Sequence, residues 1–302
     1  MTKAIRLSDD DDGLFLRDSF ILVFFCKKPI KDLVVNYAKV FEHWLETTPE
    51  EGRKWTSIGG DSDETKPLTP QRLAAARKEL DPARARTREV STFEIGGPQQ
   101  TNPDYFFEWF GARDAEDEMA SHLEIRLPRM PTTDEEVSAV LSLARWVGEL
   151  LPYASGYGAP ALTWGADSQQ GAFAEAVGKL AFRHPGYDVP DSMGTAFDIG
   201  TKVRGAYWLN FIGPEALKKL GGEKGLRSKL EIGIGIEKVG DGLLLQAGPR
   251  PELGDVNKKA KLPLLRSLAK VLEPVTLFDD VGIDNNFPEE DDCKRWKRRH
   301  LE

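Results

Sequence analysis

The side chains able to carry out acid–base, nucleophilic or metal chemistry are few and scattered. The histidines are His43, His122, His184 and His300, and the cysteines are Cys26 and Cys293. His43 is expected on a helix, His122 in a strand, and His184 in a turn before Pro185. No two histidines stand at the short spacing that zinc sites draw on, and no cysteine joins them. A Ser-His-Asp triad is assembled in space, so residue order alone leaves it open. The Gly-x-Ser-x-Gly turn that presents a nucleophilic serine is absent. Gly233-Ile234-Gly235 lies inside an expected strand and lacks the third glycine of a dinucleotide fingerprint. Gly221-Gly222-Glu223-Lys224-Gly225 is too short for a phosphate loop and reads as a helix break. These patterns predict no catalytic residues, no cofactor and no metal.

The acidic residues are the stronger signal, because they cluster. Asp61, Asp63 and Glu64 stand together in a long polar connection. Asp114, Glu116, Asp117 and Glu118 fill the turn between two expected strands. Asp279, Asp280, Asp284, Glu289, Glu290, Asp291 and Asp292 follow one another with no base among them. No Asp-x-Asp-x-Asp-Gly calcium loop is present. The clusters are open to two readings: a solvated surface, or patches that attract a basic partner over long range. On the second reading the candidate contacts are Asp61, Asp63, Glu64, Asp114, Glu116, Asp117, Glu118, Asp279, Asp280 and Asp284. One or two of the seven tryptophans would add an aromatic anchor.

Bulk properties narrow the partner. The formal net charge of −8 and a pI near 5.3 repel phosphate backbones, which predicts no direct nucleic-acid binding. Two cysteines make no disulfide framework and suit a reducing compartment. Residues 1–12 are polar, end in Asp9-Asp10-Asp11-Asp12, and lack the basic start and apolar stretch of a signal peptide. The longest apolar run, 20–26, is too short to span a bilayer. The expected location is the cytoplasm, with no membrane partner.

The elements that position these residues are legible in outline. Residues 19–26 read as a central strand buried on both faces. A helix follows Pro29, with Leu33, Tyr37, Val40, Phe41 and Trp44 at helical spacing. Residues 47–70 read as a connection and 72–80 as a short helix. Strands are expected at 90–95, 105–110 and 120–127. Thr133 with Glu136 forms a capping box for a helix that Pro152 ends. A strand at 153–164 and a helix at 168–182 come next. Strands at 205–212, 232–236 and 243–246 alternate with helices after Pro214, near 225–230 and after Pro263, and 275–278 reads as a last strand. Ile232, Ile234 and Ile236 would form one apolar face, opposite glycines. The whole is α+β, with mixed, mostly antiparallel sheets and packed helices. Both parts, 14–165 and 166–302, fit a βαββαβ, ferredoxin-like order, and one continuous unit would give the same string.

The region between 153 and 263 carries a series of motifs. They are Tyr153-Ala154-Ser155-Gly156-Tyr157, His184-Pro185-Gly186-Tyr187-Asp188, and Tyr207-Trp208-Leu209-Asn210-Phe211-Ile212-Gly213-Pro214. Next come Leu243-Leu244-Leu245-Gln246-Ala247-Gly248-Pro249-Arg250-Pro251 and Leu253-Gly254-Asp255-Val256-Asn257. In this order they resemble the type VI secretion immunity family, the TsiV-like proteins. The resemblance implies a protein that binds and neutralises a cognate effector, with VRR-Nuc and related nucleases as the associated toxins. It implies no catalytic residues. Gly-Pro and His-Pro-Gly are also turn chemistry, so much of the series suits a scaffold role. Rival readings are immunity to a cytoplasmic toxin that is not a nuclease, a small-molecule enzyme with 232–236 as a pocket floor, and a secretion-system adaptor.

Overall fold

The eight residues from Ser19 to Cys26 are strand formers with little polarity, and they become the middle of one large sheet. In a computed structural model, residues 5–8, 14–59, 65–100, 102–113, 118–164, 170–279, 287 and 289–302 are described. The strands are β1 (Arg6–Ser8), β2 (Leu14–Cys26), β3 (Trp55–Ile58), β4 (Lys66–Pro67), β5 (Val90–Gly97), β6 (Tyr105–Ala112), β7 (Ser121–Leu127), β8 (Ser155–Trp164), β9 (Leu209–Ile212), β10 (Ile234–Val239) and β11 (Gly242–Ala247). They hydrogen-bond in the order β10-β11-β9-β8-β2-β7-β6-β5-β3-β4, with β1 on the start of β2. Every pairing between these strands is antiparallel. The sheet runs across residue 165 without a break, since β8 pairs with β9. A pair of ferredoxin-like units is not established by it.

The helices are α1 (Ile30–Thr47), α2 (Pro70–Glu79), α3 (Pro82–Ala85), α4 (Asp134–Leu150), α5 (Gln170–Arg183), α6 (Ser192–Asp198), α7 (Pro214–Lys219), α8 (Gly222–Arg227), α9 (Pro263–Leu272) and α10 (Glu290–Lys297). No helix among the described residues is long and apolar enough to cross a membrane.

Side chains alternate across a strand, so each strand has two faces. On one face Leu22, Phe24, Phe93, Ile95, Phe107, Trp109, Leu123 and Ile125 pack against the apolar stripes of α1 and α4. The Thr133–Glu136 capping box starts α4 as expected. On the other face Ile21, Val23, Phe25, Tyr157, Ala159 and Ala161 lie under Ala196, Ile199 and Tyr207. That cover is made by α6 and the segment after it. It reaches β7 through Ser192 and Glu124 and leaves the same face of β5 and β6 to carry something other than a core.

Four expectations are corrected in detail. The polar connection 47–70 contains the short strand β3 and the edge strand β4. The strand expected at 205–212 shortens to β9, because Tyr207 and Trp208 turn into the interior ahead of it. At 275–278 a 3-10 turn, Glu273–Val275, replaces the last strand, and a lone bridge joins Val203 to Thr276. The isoleucine face begins only at Ile234. Ile232 is fully exposed, because Gly233 adopts a left-handed φ of 105° just before β10.

Candidate functional site: a carboxylate ladder in an open groove

Three glutamates stand side by side on the uncovered face. Glu94 of β5 is in register with Glu108 of β6, and Glu108 is in register with Glu124 of β7. Neighbouring residues in such a row have side chains about 5 Å apart, and like charges directly opposite are destabilising. Glu108 and Glu124 are buried, at 8% and 3% exposure. One cation serves the row. Arg126 Nη2 donates to Glu124 Oε1 at 2.9 Å, and its guanidinium lies 4.6 Å from the centre of the Phe106 ring. Ser192 Oγ, on α6, donates to Glu124 Oε2 at 2.6 Å. The fully buried His122 has Nε2 at 3.3 Å from Glu108 Oε2 and stacks on Phe110. Burial first, and then the charge of Glu108, push the Glu94 carboxyl up to about 8, with Arg126 opposing the shift and Glu124 adding to it.

The row floors a groove of about 390 Å³. Trp55, Phe106 and Trp164 supply its aromatic surface, and α6 closes one side with Asp191, Ser192 and Met193. Asp191 is committed to capping α6 through Gly194 N, at 2.7 Å. At the other side lies Asn102, buried at 1% exposure with a left-handed φ of 57°. Its Nδ2 donates to Thr163 O at 2.8 Å, while its Oδ1 has no hydrogen-bond partner. A buried carbonyl left unmatched costs about 1–3 kcal/mol. The groove therefore gathers carboxyl groups beside a buried, idle amide oxygen, between aromatic planes. That chemistry suits a guanidinium or ammonium group. Among the described residues no cluster of three or more His, Cys, Asp and Glu could hold a metal ion.

Of the candidate acidic contacts singled out by clustering, two are described, and neither lines the groove. Glu118 is exposed, 3.8 Å from Lys202 Nζ, and its carbonyl accepts from Gly200 N at 2.7 Å. Asp279 is exposed after the lone bridge. Asp61, Asp63, Glu64, Asp114, Glu116, Asp117, Asp280 and Asp284 lie outside the described residues. The ladder was missed because each member sits alone in an apolar strand. A signal was nevertheless present: Phe93-Glu94-Ile95, Phe107-Glu108-Trp109 and Leu123-Glu124-Ile125 repeat one pattern in three successive strands.

The motifs between 153 and 263 meet one another. Asp188 is fully buried and accepts from Tyr157 Oη at 2.9 Å and Tyr207 Oη at 2.8 Å. His184 Nδ1 lies 2.7 Å from Gly254 O, and Arg183 pairs with Asp255 at 3.3 Å. Gly186 N donates to Leu253 O, and a Cβ at Gly186 would collide with Glu252 O at 2.0 Å. The series thus locks α5 and the 252–255 loop onto the sheet.

A chain whose recurring motifs build a scaffold, and whose open groove offers an unmatched acceptor, has the make-up of a binding protein. Comparison with protein families gives a match over residues 35–300 to TsiV, type VI immunity for VRR-NUC, and the chain belongs to that family. Among solved structures it is similar to Pseudomonas aeruginosa T6SS protein PA0821, at a TM-score of 0.73 and 20% identity, over 98% of this chain and 91% of that one. At that identity the likeness is one of fold. No curated protein matches.

Proposed function

We propose that this chain binds a cognate type VI effector, a nuclease of the VRR-NUC class, and neutralises it by stoichiometric inhibition in the cytoplasm, with no catalysis of its own. Family membership supports the immunity role. The observation that carries the mode of binding is the ladder Glu94, Glu108 and Glu124, which lines an open groove with one arginine among three carboxylates. A nuclease that grips DNA needs basic side chains, and a basic side chain entering this groove would find partners for its donors. The net charge of −8, with Asp61, Asp63, Glu64, Asp114, Glu116, Asp117, Glu118, Asp279, Asp280 and Asp284 as outlying acids, would speed encounter through long-range attraction. The aromatic walls would supply the slow dissociation that charge alone rarely gives.

The test is co-expression with the effector encoded beside it, followed by titration of the purified pair. The expected result is survival of the host, co-purification, and loss of DNase activity that ends at a fixed molar ratio. Glu108→Gln with Glu124→Gln keeps shape and removes charge, and should weaken the complex by about tenfold or more. An effector that is inhibited equally well by this double variant overturns the groove as the contact. An effector without DNase activity overturns the nuclease reading.

A further inference from the structure

A second cavity, of about 470 Å³, has the opposite sign. It lies between the end of α5, the 256–262 loop with the first turn of α9, and α10 with the residues after it. Its polar lining is Lys259, Lys261, Arg266, Arg295, Arg299 and His300, with Glu302 as the acid. Five cations in one hollow are unusual in a chain of net charge −8. Arg295 has a counter-charge in Asp292, at 3.4 Å. The side chains of Lys259, Lys261 and Arg266 make no hydrogen bond or ion pair among the described residues.

The buried groups are the stronger evidence. His300 is 5% exposed, and its Nε2 has no hydrogen-bond partner. Arg299 donates through Nε to Pro185 O at 2.9 Å and through Nη1 to Trp296 O at 3.1 Å. It lies flat over the Trp296 ring, 3.8 Å from its centre. Its Nη2 is buried without a well-formed hydrogen bond, with Tyr207 and Asp188 close enough to favour its charge. An arginine held in this way is a pre-set donor for an oxyanion. Lys259, which lines the hollow, holds a left-handed φ of 56°, a conformation costing about 1 kcal/mol for a residue with a Cβ. Burial, together with the charges of Arg299 and Arg266, drives the His300 imidazole well below its ordinary pKa. The unpaired cations and the depressed imidazole are answered by one event, the arrival of an anion.

We propose that this cavity binds the phosphate groups of a small ligand. Tetrahedral oxyanions match the arginine forks and the point charges of the lysines. The volume exceeds what one phosphate fills, and Phe182, Val256 and Leu262 offer an apolar wall to an organic body. The site shares no residue with the acidic groove and does not depend on the effector.

The test uses the full chain alone, by calorimetry and thermal unfolding at about 0.1 M salt, with inorganic pyrophosphate and ADP as probes. The expected result is saturable binding of at least one probe, weakened at least tenfold by Lys261→Ala with Arg266→Ala, a pair of exposed positions whose loss leaves the fold intact. Tighter binding of ADP marks an organic ligand, and equal binding marks a free polyphosphate; both support the site. Absence of saturable binding up to roughly 10 mM, or binding unchanged in the double variant, overturns the proposal. So does a poly-aspartate peptide that binds where neither probe does, because the ligand is then a protein segment.

Discussion

The acidic groove and the cationic cavity are built alike and charged oppositely. Each gathers like charges around a buried polar atom without a partner, Asn102 Oδ1 in one and His300 Nε2 in the other. Each also contains one of the two non-glycine residues with positive φ among those described, Asn102 and Lys259. Strain and idle polar groups persist only where the surrounding structure enforces them, and they gather where ligands bind. The scaffolds differ. The groove is floored by three hydrogen-bonded strands, so its glutamates are held in register by the backbone ladder. The cavity is assembled from loops and helix ends that are distant in sequence. The first arrangement suits a fixed protein surface, and the second a smaller guest around which a loop can settle.

The contrast is tested most severely at Arg126, the groove's cation. Arg126→Met keeps the stem over Phe106 and leaves Glu124 with Ser192 alone. The loss of a partner to a buried carboxylate costs about 3 kcal/mol, so the urea midpoint should fall clearly at pH 7. The same variant should leave binding of phosphate probes at the cavity unchanged. A fall in both would mean that the two regions are one cooperative unit.

A smaller effect, of opposite sign, is expected at Glu94. Its carboxyl is raised from 4.5 to about 8 in the folded chain. The folded state therefore holds the proton more tightly than the unfolded state, and stability drops as pH climbs from 4.5 through about 8. Glu94→Gln removes that loss. The variant should match the parent near pH 4 and exceed it as pH climbs past about 8, measured as the difference between their unfolding midpoints across pH. Parallel curves would show that neither burial nor the neighbouring glutamates raise the Glu94 carboxyl. At the cavity the slope runs the other way. His300, held neutral, makes folding weaker as pH falls below its ordinary value of 6.5. Substituting His300 by Phe should flatten the acid limb without altering the alkaline one.

The order of elements was readable because periodicity and caps speak locally. The apolar run of β2, the stripe Leu33, Tyr37, Val40 and Phe41 on α1, and the Thr133–Glu136 box each predict their own element without help from the rest of the chain. The α+β class followed from such pieces, whereas the immunity family was implied by the resemblance of the motifs between 153 and 257. The ladder was different in kind. Glu94, Glu108 and Glu124 are separated by 14 and 16 positions, and only strand register makes them neighbours. Clustering along the chain therefore pointed to Asp114–Glu118 and to 279–292, where charges are adjacent in sequence. The short strands β3 and β4 gave no apolar alternation to detect. Helix α6 was hidden for a similar reason, its seven residues holding a buried serine and threonine in place of an apolar stripe. The cationic cavity escaped as well, since its parts come from 182–185, 256–266 and 295–302.

The finest distinction between the two regions lies in how each answers salt. Lys261 and Arg266 are exposed, so their repulsion acts through solvent and fades beyond the Debye length, about 10 Å at 0.1 M salt. Lys261→Gln should therefore raise the unfolding midpoint by about a degree at low ionic strength, and the gain should vanish near 1 M sodium chloride, where screening reaches about 3 Å. Glu94→Gln should keep its advantage at high pH in the same salt, because its neighbours are buried and poorly screened. Adding pyrophosphate at low salt should reverse the order at the cavity: the parent gains stability by binding, and Lys261→Gln gains less. If salt erases both differences equally, the groove is as open to solvent as the cavity rim, and its glutamates are surface charges instead of a desolvated row. If pyrophosphate stabilises parent and variant alike, Lys261 belongs to the solvated surface and the anion is held without it.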